Sequence, residues 1–187
     1  MRSLLFICIS ISLLLVLCGC KERRGTTVPH DACNLLSKEE IESVQAAAVN
    51  ETKSSERSDD SFRVAQCFYT TAEFSKSVSL ALVHKNPHQQ DNRSPRDFWK
   101  ERFGPHGDEK ERSEKAKTKS IEKERATALK KIGDLGDDAY WVSNRFGGVL
   151  YVLKGEAFIS IGLGGMDDED TKLKKSKVLA RKALERL

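Results

Sequence analysis

Residues 133–163, GDLGDDAYWVSNRFGGVLYVLKGEAFISIGL, decide the fold. Within them Ala157, Ile159, Ile161 and Leu163 alternate with Phe158, Ser160 and Gly162, the period-two pattern of a strand with one apolar face. Gly147-Gly148 and Lys154-Gly155 interrupt the run where tight turns between antiparallel strands need positive φ. The stretch predicts three strands, Ala139 to Asn144, Val149 to Leu153 and Ala157 to Leu163, joined by two hairpins and entered through the turn Gly133-Asp134-Leu135-Gly136-Asp137-Asp138. Two further strand-like runs lie upstream, Phe62 to Phe74 and Lys76 to His84. Val64, Gln66 and Phe68 alternate with Ala65, Cys67 and Tyr69, and Val78, Leu80 and Leu82 with Ser77, Ser79 and Ala81, so these two runs read as a hairpin.

Helices flank the strands. In Leu36-Ser37-Lys38-Glu39-Glu40-Ile41, Ser37 is an N-cap, Glu40 closes a capping box, and Leu36 staples against Ile41. This helix is expected to continue through Val44 and Ala48, and the polar stretch Asn50 to Ser61 reads as a loop. From Ser94 the pattern is helical again, with Phe98, Trp99 and Phe103 on one face before Gly104-Pro105 stops it. Asp108 to Lys131 is dense in charge, with Asp108 to Arg112, Lys110 to Glu114 and Glu111 to Lys115 at i,i+4 spacing. It reads as a solvated helix or a flexible excursion, with an apolar stripe only in its later part, at Ile121, Ala128, Leu129 and Ile132. Asp167 to Leu187 has acids at its start and bases beyond, matching the helix dipole, with Leu173, Ala180, Ala183, Leu184 and Leu187 facing inward. The class is α+β: an antiparallel sheet of about five strands packed against N-terminal, middle and C-terminal helices. One domain covers 31–187, with a charged insert near 106–130.

The N-terminus gives the address. One basic residue, Arg2, precedes an apolar run from Leu4 to Leu17. That run of about 14 residues is shorter than the roughly 20 that span a bilayer and within the ~7–15 of a signal-peptide core. It ends in Leu17-Cys18-Gly19-Cys20, which resembles the lipobox of bacterial lipoproteins, with Leu17 the apolar position, Gly19 the small residue before the cut and Cys20 the acylated cysteine. The resemblance implies a signal peptide over 1–19, lipidation of Cys20, and a polar tether over 20–30. The protein would be membrane-anchored by lipid and face the periplasm or the cell exterior. Lys21 stands where an Asp would signal inner-membrane retention in enteric-type lipoproteins, so the outer membrane is expected where the cell has one. Lys21, Arg23 and Arg24 reverse the usual charge bias around the run, which leaves an uncleaved anchor as the alternative.

With Cys8 and Cys18 in the removed segment and Cys20 acylated, Cys33 and Cys67 remain. In an oxidising compartment the pair reads as a disulfide; closing a loop of about 34 residues stabilises a fold by roughly 3–4 kcal/mol in the chain-entropy treatment. The competing reading is a metal site using His30, Cys33 and Cys67, which lacks a fourth ligand.

Asp31-Ala32-Cys33-Asn34-Leu35-Leu36-Ser37-Lys38-Glu39-Glu40, Cys67-Phe68-Tyr69, Leu135-Gly136-Asp137-Asp138-Ala139-Tyr140-Trp141 and the Lys154-Gly155 hairpin before a terminal helix together resemble a broad group of bacterial lipoproteins, best known from actinobacteria and mycobacteria, that carry a domain of unknown function. The charged insert from Asp108 to Arg125 is outside that resemblance. The family likeness implies helices against an antiparallel sheet and brings no catalytic residue.

Hydrophobic residues at 39% permit a packed core, and charged residues at 32% require a large solvated surface. The net charge of +4 balances many opposing charges and does not make a nucleic-acid footprint. Asp134, Asp137 and Asp138 lack the order and closing Glu of a calcium loop. His84 and His88 flank Pro87, so they cannot form a one-turn metal pair. Ser160 is in no nucleophile elbow, and Gly162-Leu163-Gly164-Gly165 misses the phosphate fingerprint. No catalytic residue, metal or cofactor is expected. Trp99, Tyr140 and Trp141 read either as core or rim residues or, where exposed beside the sheet, as a candidate binding surface suited to peptide or glycan. The expected function is a non-catalytic envelope lipoprotein that binds a protein partner or an envelope component such as an anionic polymer. A carrier of small apolar ligands, with a cavity between sheet and helices, is the alternative.

Overall fold

Alternation in the sequence becomes one antiparallel sheet of seven strands in the computed structural model, which describes residues 31–88, 93–104 and 129–187. The strands are β1 (Val49–Ser58), β2 (Phe62–Thr71), β3 (Val78–Lys85), β4 (Leu129–Lys131), β5 (Asp138–Val142), β6 (Val149–Lys154) and β7 (Ala157–Leu163). Their order across the sheet is β1-β2-β3-β7-β6-β5-β4. Among the described residues three helices accompany them: α1 (Lys38–Gln45), α2 (Pro95–Phe103) and α3 (Glu169–Leu184). Among the described residues, no helix is long and apolar enough to cross a membrane.

Five strands lie where the alternation puts them, and the other two, at the sheet edges, correct the expected count. Asn50 to Ser61 is not a loop, because most of it belongs to β1, which pairs with β2 from Val49↔Thr71 to Ser58↔Arg63. Its residues beyond Val49 are almost all exposed on both faces, so no apolar alternation marks it. At the other edge Leu129–Lys131 pairs with Val142–Tyr140 as a strand, not a helix, while residues 105–128 of the charged insert lie outside the described residues. The first helix is also shorter than expected. Its capping box forms as read, Ser37 Oγ accepting from the Glu40 N–H at 3.3 Å and Glu40 Oε2 from the Ser37 N–H at 2.9 Å, but Ala46 turns left-handed at φ 49° and ends it after Gln45.

The sheet's two faces bury different cores. On one face α1, α3 and a 3-10 turn at Ala32–Asn34 cover Cys67, Tyr69, Leu80, Trp141, Leu150, Ile159 and Ile161. On the other, α2 lays Trp99 and Phe103 against Phe62, Val83, Leu153 and Phe158. Helix α2 starts with a second capping box, Ser94 with Asp97, and Pro95 in its first turn. Its position is fixed by Arg96, whose Nη2 donates to Asp137 Oδ2 at 2.7 Å and to the Gly155 carbonyl at 2.9 Å.

Candidate functional site

Cys20 lies outside the described residues, and the chain enters the domain at Asp31. The Asp31 carboxylate caps the 3-10 turn by accepting from the Cys33 N–H at 2.9 Å, and it accepts from Ser54 Oγ at 3.0 Å. Cys33 and Cys67 lie at disulfide distance, S–S 2.05 Å and Cα–Cα 5.0 Å, pinning that turn to the middle of β2. Neither sulfur is then a thiolate for a metal, and His30 is outside the described residues.

The three aromatic residues of the expected surface divide. Tyr140 and Trp141 are neighbours on β5, so their side chains leave opposite faces of the sheet. Trp141 is fully buried beneath α3, its indole N–H donating to Glu169 Oε1 at 2.7 Å, and belongs to the core. Trp99 and Tyr140 share the other face, with ring centroids 6.1 Å apart. Together with Lys100, Phe103, Gly104, Leu129, Lys131 and Asp138 they line an open groove of about 620 Å³ between α2 and the β4–β5 edge.

Alternate positions of β5 and the last turn of α2 build this groove. Phe103 stacks on Tyr140 at 5.0 Å between centroids with planes 9° apart, and Trp99 lies 4.6 Å from Phe103. Asp138 Oδ2 accepts the Trp99 indole N–H at 3.0 Å, and Asp138 Oδ1 is 3.4 Å from Lys131 Nζ. Lys131 also stands 5.8 Å over the Tyr140 ring. The groove thus combines aromatic rings, two lysines, Lys100 and Lys131, and one carboxylate, Asp138, which is held by an indole N–H and an ammonium. Phe103, Lys131 and Asp138 were not on the expected surface. The signal for Asp138 was present, because residues 138, 140 and 142 share a strand face.

The remaining candidates have structural work. Asp137 accepts from the Gly155 N–H at 2.9 Å and from Arg96, and these two contacts hold its carboxyl below the ordinary range. Asp134, at φ 59°, and Gly136, at φ 62°, make the turn; a Cβ on Gly136 would stand 2.3 Å from the Leu153 carbonyl. His84 is buried with Nδ1 3.1 Å from the Lys85 carbonyl, and exposed His88 follows Asn86 in a turn. Ser160 lies half-buried in β7, and Gly164 packs against Ser75. Among the described residues, no group of three or more His, Cys, Asp or Glu side chains is placed to hold a metal ion. No protein-family model, curated protein or solved structure matches the chain.

Proposed function

We propose that this chain is a non-catalytic cell-envelope lipoprotein, held on a membrane through lipid on Cys20 and facing the periplasm or the cell exterior. Its domain engages a protein partner or an envelope component through the groove of Trp99, Phe103 and Tyr140. One observation carries the reading: once the lipobox accounts for Cys20 and the segment before it, the two cysteines left over are the two that lie at disulfide distance. The groove supports a binding role because two exposed lysines and the half-buried Tyr140 line its opening above the buried rings of Trp99 and Phe103. The layer between sheet and helices is filled by Trp141, Leu150, Ile159 and Leu179, each fully buried, which favours an interaction module over a carrier of apolar ligands.

Metabolic labelling with a fatty-acid analogue tests the anchor. Wild-type protein takes up label and pellets with membranes, whereas Cys20→Ser does neither. Labelled, membrane-bound Cys20→Ser protein would refute the lipobox reading.

A further inference from the structure

Five strands meet at one end of the sheet. Tyr69 pairs with Val78, Val78 with Leu163, Val149 with Gly162, and Val142 with Val149. The β2–β3 connection (72–77), the β5–β6 connection (143–148) and the β7–α3 connection (164–168) therefore form a single rim. Each presents a large apolar side chain to solvent: Phe74 is 70% exposed, Phe146 69% and Met166 98%. Phe68 adds a partly exposed ring 6.4 Å from Phe74. Most of the large exposed apolar side chains among the described residues are gathered on this one rim, and such gathering marks a surface in use.

The rim is braced. Gln45, buried beneath it, donates to the Lys76 carbonyl at 2.6 Å and to the Gly164 carbonyl at 3.5 Å, fastening two of the connections together. Lys172, also buried, donates to the Phe146 carbonyl at 2.7 Å and ties the third to the first turn of α3. A Cβ on Gly164 would stand 2.0 Å from the Ser75 carbonyl oxygen, so the β2–β3 and β7–α3 connections are in direct contact. The tips spread over three to four strand spacings, about 14–19 Å.

The rim's acids are engaged locally. Glu73 pairs with Lys76 at 2.9 Å and Asp167 with Lys175 at 2.6 Å. Asp168 caps α3 by accepting from Thr171, and Glu169 accepts from Trp141 and Ser143. Among the described residues, Asp168 and Glu169 are thus engaged by hydrogen bonds from uncharged donors and not by ion pairs, and Asp170 stands with them at the start of α3. Arg145 lies 4.7 Å over the Phe146 ring, and with Lys76 it leaves the three connections only one charge short of balancing Glu73, Asp167 and Asp168.

We propose that this rim is the membrane-facing surface of the domain, with Phe74, Phe146 and Met166 seated at the boundary between headgroups and acyl chains. The proposal rests on the lipid-anchor reading, because the anchor brings the domain to the bilayer. The tether is long enough. Asp31 is bonded to Ser54, Ser54 is opposite Cys67, and β2 ends at Thr71, four residues or about 13 Å further on. Residues 21–30 span up to about 33 Å when extended, so Cys20 reaches the rim's plane with slack. Three separate tips on polar connections suit a fluid interface, where aromatic side chains are favoured, better than a flat protein contact of about 800 Å² a side. A near-neutral rim directs the surface to zwitterionic lipid.

Native tryptophans give a low background for the test, since Trp99 and Trp141 are 3% and 0% exposed. Full-length lipidated protein carrying Phe74→Trp, Phe146→Trp or Met166→Trp, one at a time, is reconstituted in phosphatidylcholine vesicles with brominated acyl chains. Val178→Trp, on the exposed face of α3, is the reference. Each rim tryptophan should shift to the blue and lose most of its added emission to bromine, while the reference keeps its own. Unquenched rim tryptophans in protein that floats with the vesicles would overturn the proposal and leave the anchor standing. Wild-type protein that does not float would overturn the anchor and the proposal together. A blue shift without vesicles, growing with protein concentration, would assign the rim to contact between copies and overturn it as well.

Discussion

Glu40 joins both ends of the domain. Its carboxylate closes the capping box of α1 and receives Arg186 through two contacts of 2.8 Å, with Lys182 3.4 Å away. Hydrogen bonding to Arg186 is the largest of the effects that lower its pKa to about 2. Because the folded value is depressed, the stabilisation is fully present above the ordinary carboxylate value of 4.5 and is lost as pH falls toward 2. Glu40→Gln is expected to lower stability by about 1–2 kcal/mol at pH 7, allowing for the part-exposed partners, with the difference from wild type closing near pH 2. Urea titrations at a series of pH values measure this; a difference that does not shrink with acid would contradict the ion-pair account. Gly148 is a second decisive residue. It sits at φ 146°, and a Cβ there would lie 2.4 Å from the Trp141 indole. Gly148→Ala combines backbone strain with a clash against a buried ring and should cost more than about 2 kcal/mol. The thermal midpoint and the near-ultraviolet signal of Trp141 report it, and an unchanged midpoint would contradict the close packing.

At the scale of elements, the disulfide adds a covalent link to a junction that burial of Ala32 and Leu35 and hydrogen bonds also hold. It holds the 3-10 turn to β2 before α1 begins, while Tyr69 donates its hydroxyl to the Leu36 carbonyl at 2.8 Å on the same face. The double change Cys33→Ala and Cys67→Ala should cost about 2–5 kcal/mol while leaving the sheet recognisable by circular dichroism. Free thiols at both positions in protein taken from the envelope would contradict it. Elements that bury one face were legible in the sequence, because burial writes a period: Ile159 and Ile161 against Ser160 and Gly162 gave β7 at its true bounds, and Ser37 with Glu40 gave the start of α1. Strand β1 was not legible, since Glu51 to Ser58 meets solvent on both sides and an edge strand of this kind writes no period. Half of the candidate site was legible. Trp99 and Tyr140 do share one face of the sheet, but Trp141 was grouped with them by residue type against the period of the strand. Lys131 was hidden because three residues of β4 are too few to show alternation.

For the whole molecule, the strand order divides the chain into two antiparallel meanders, β1-β2-β3 and β4-β5-β6-β7, sewn along β3 and β7 from Val78↔Leu163 to His84↔Ala157. Segment 105–128 runs between the halves. Lengthening it by its own size with Gly and Ser residues should cost only about 0.6 kcal/mol, because loop-closure entropy grows with the logarithm of length. Chemical denaturation checks this, and a cost of several kcal/mol would show instead that the segment packs on the domain. The seam also decides what a chain break would do. Protease cleavage between Gly104 and Leu129 severs no strand of either meander. The two fragments would stay together through the β3–β7 ladder, the shared core beneath α3, and the bridge from Arg186 to Glu40. Every described strand and both described cores lie outside that stretch, so the two pieces are expected to complement one another.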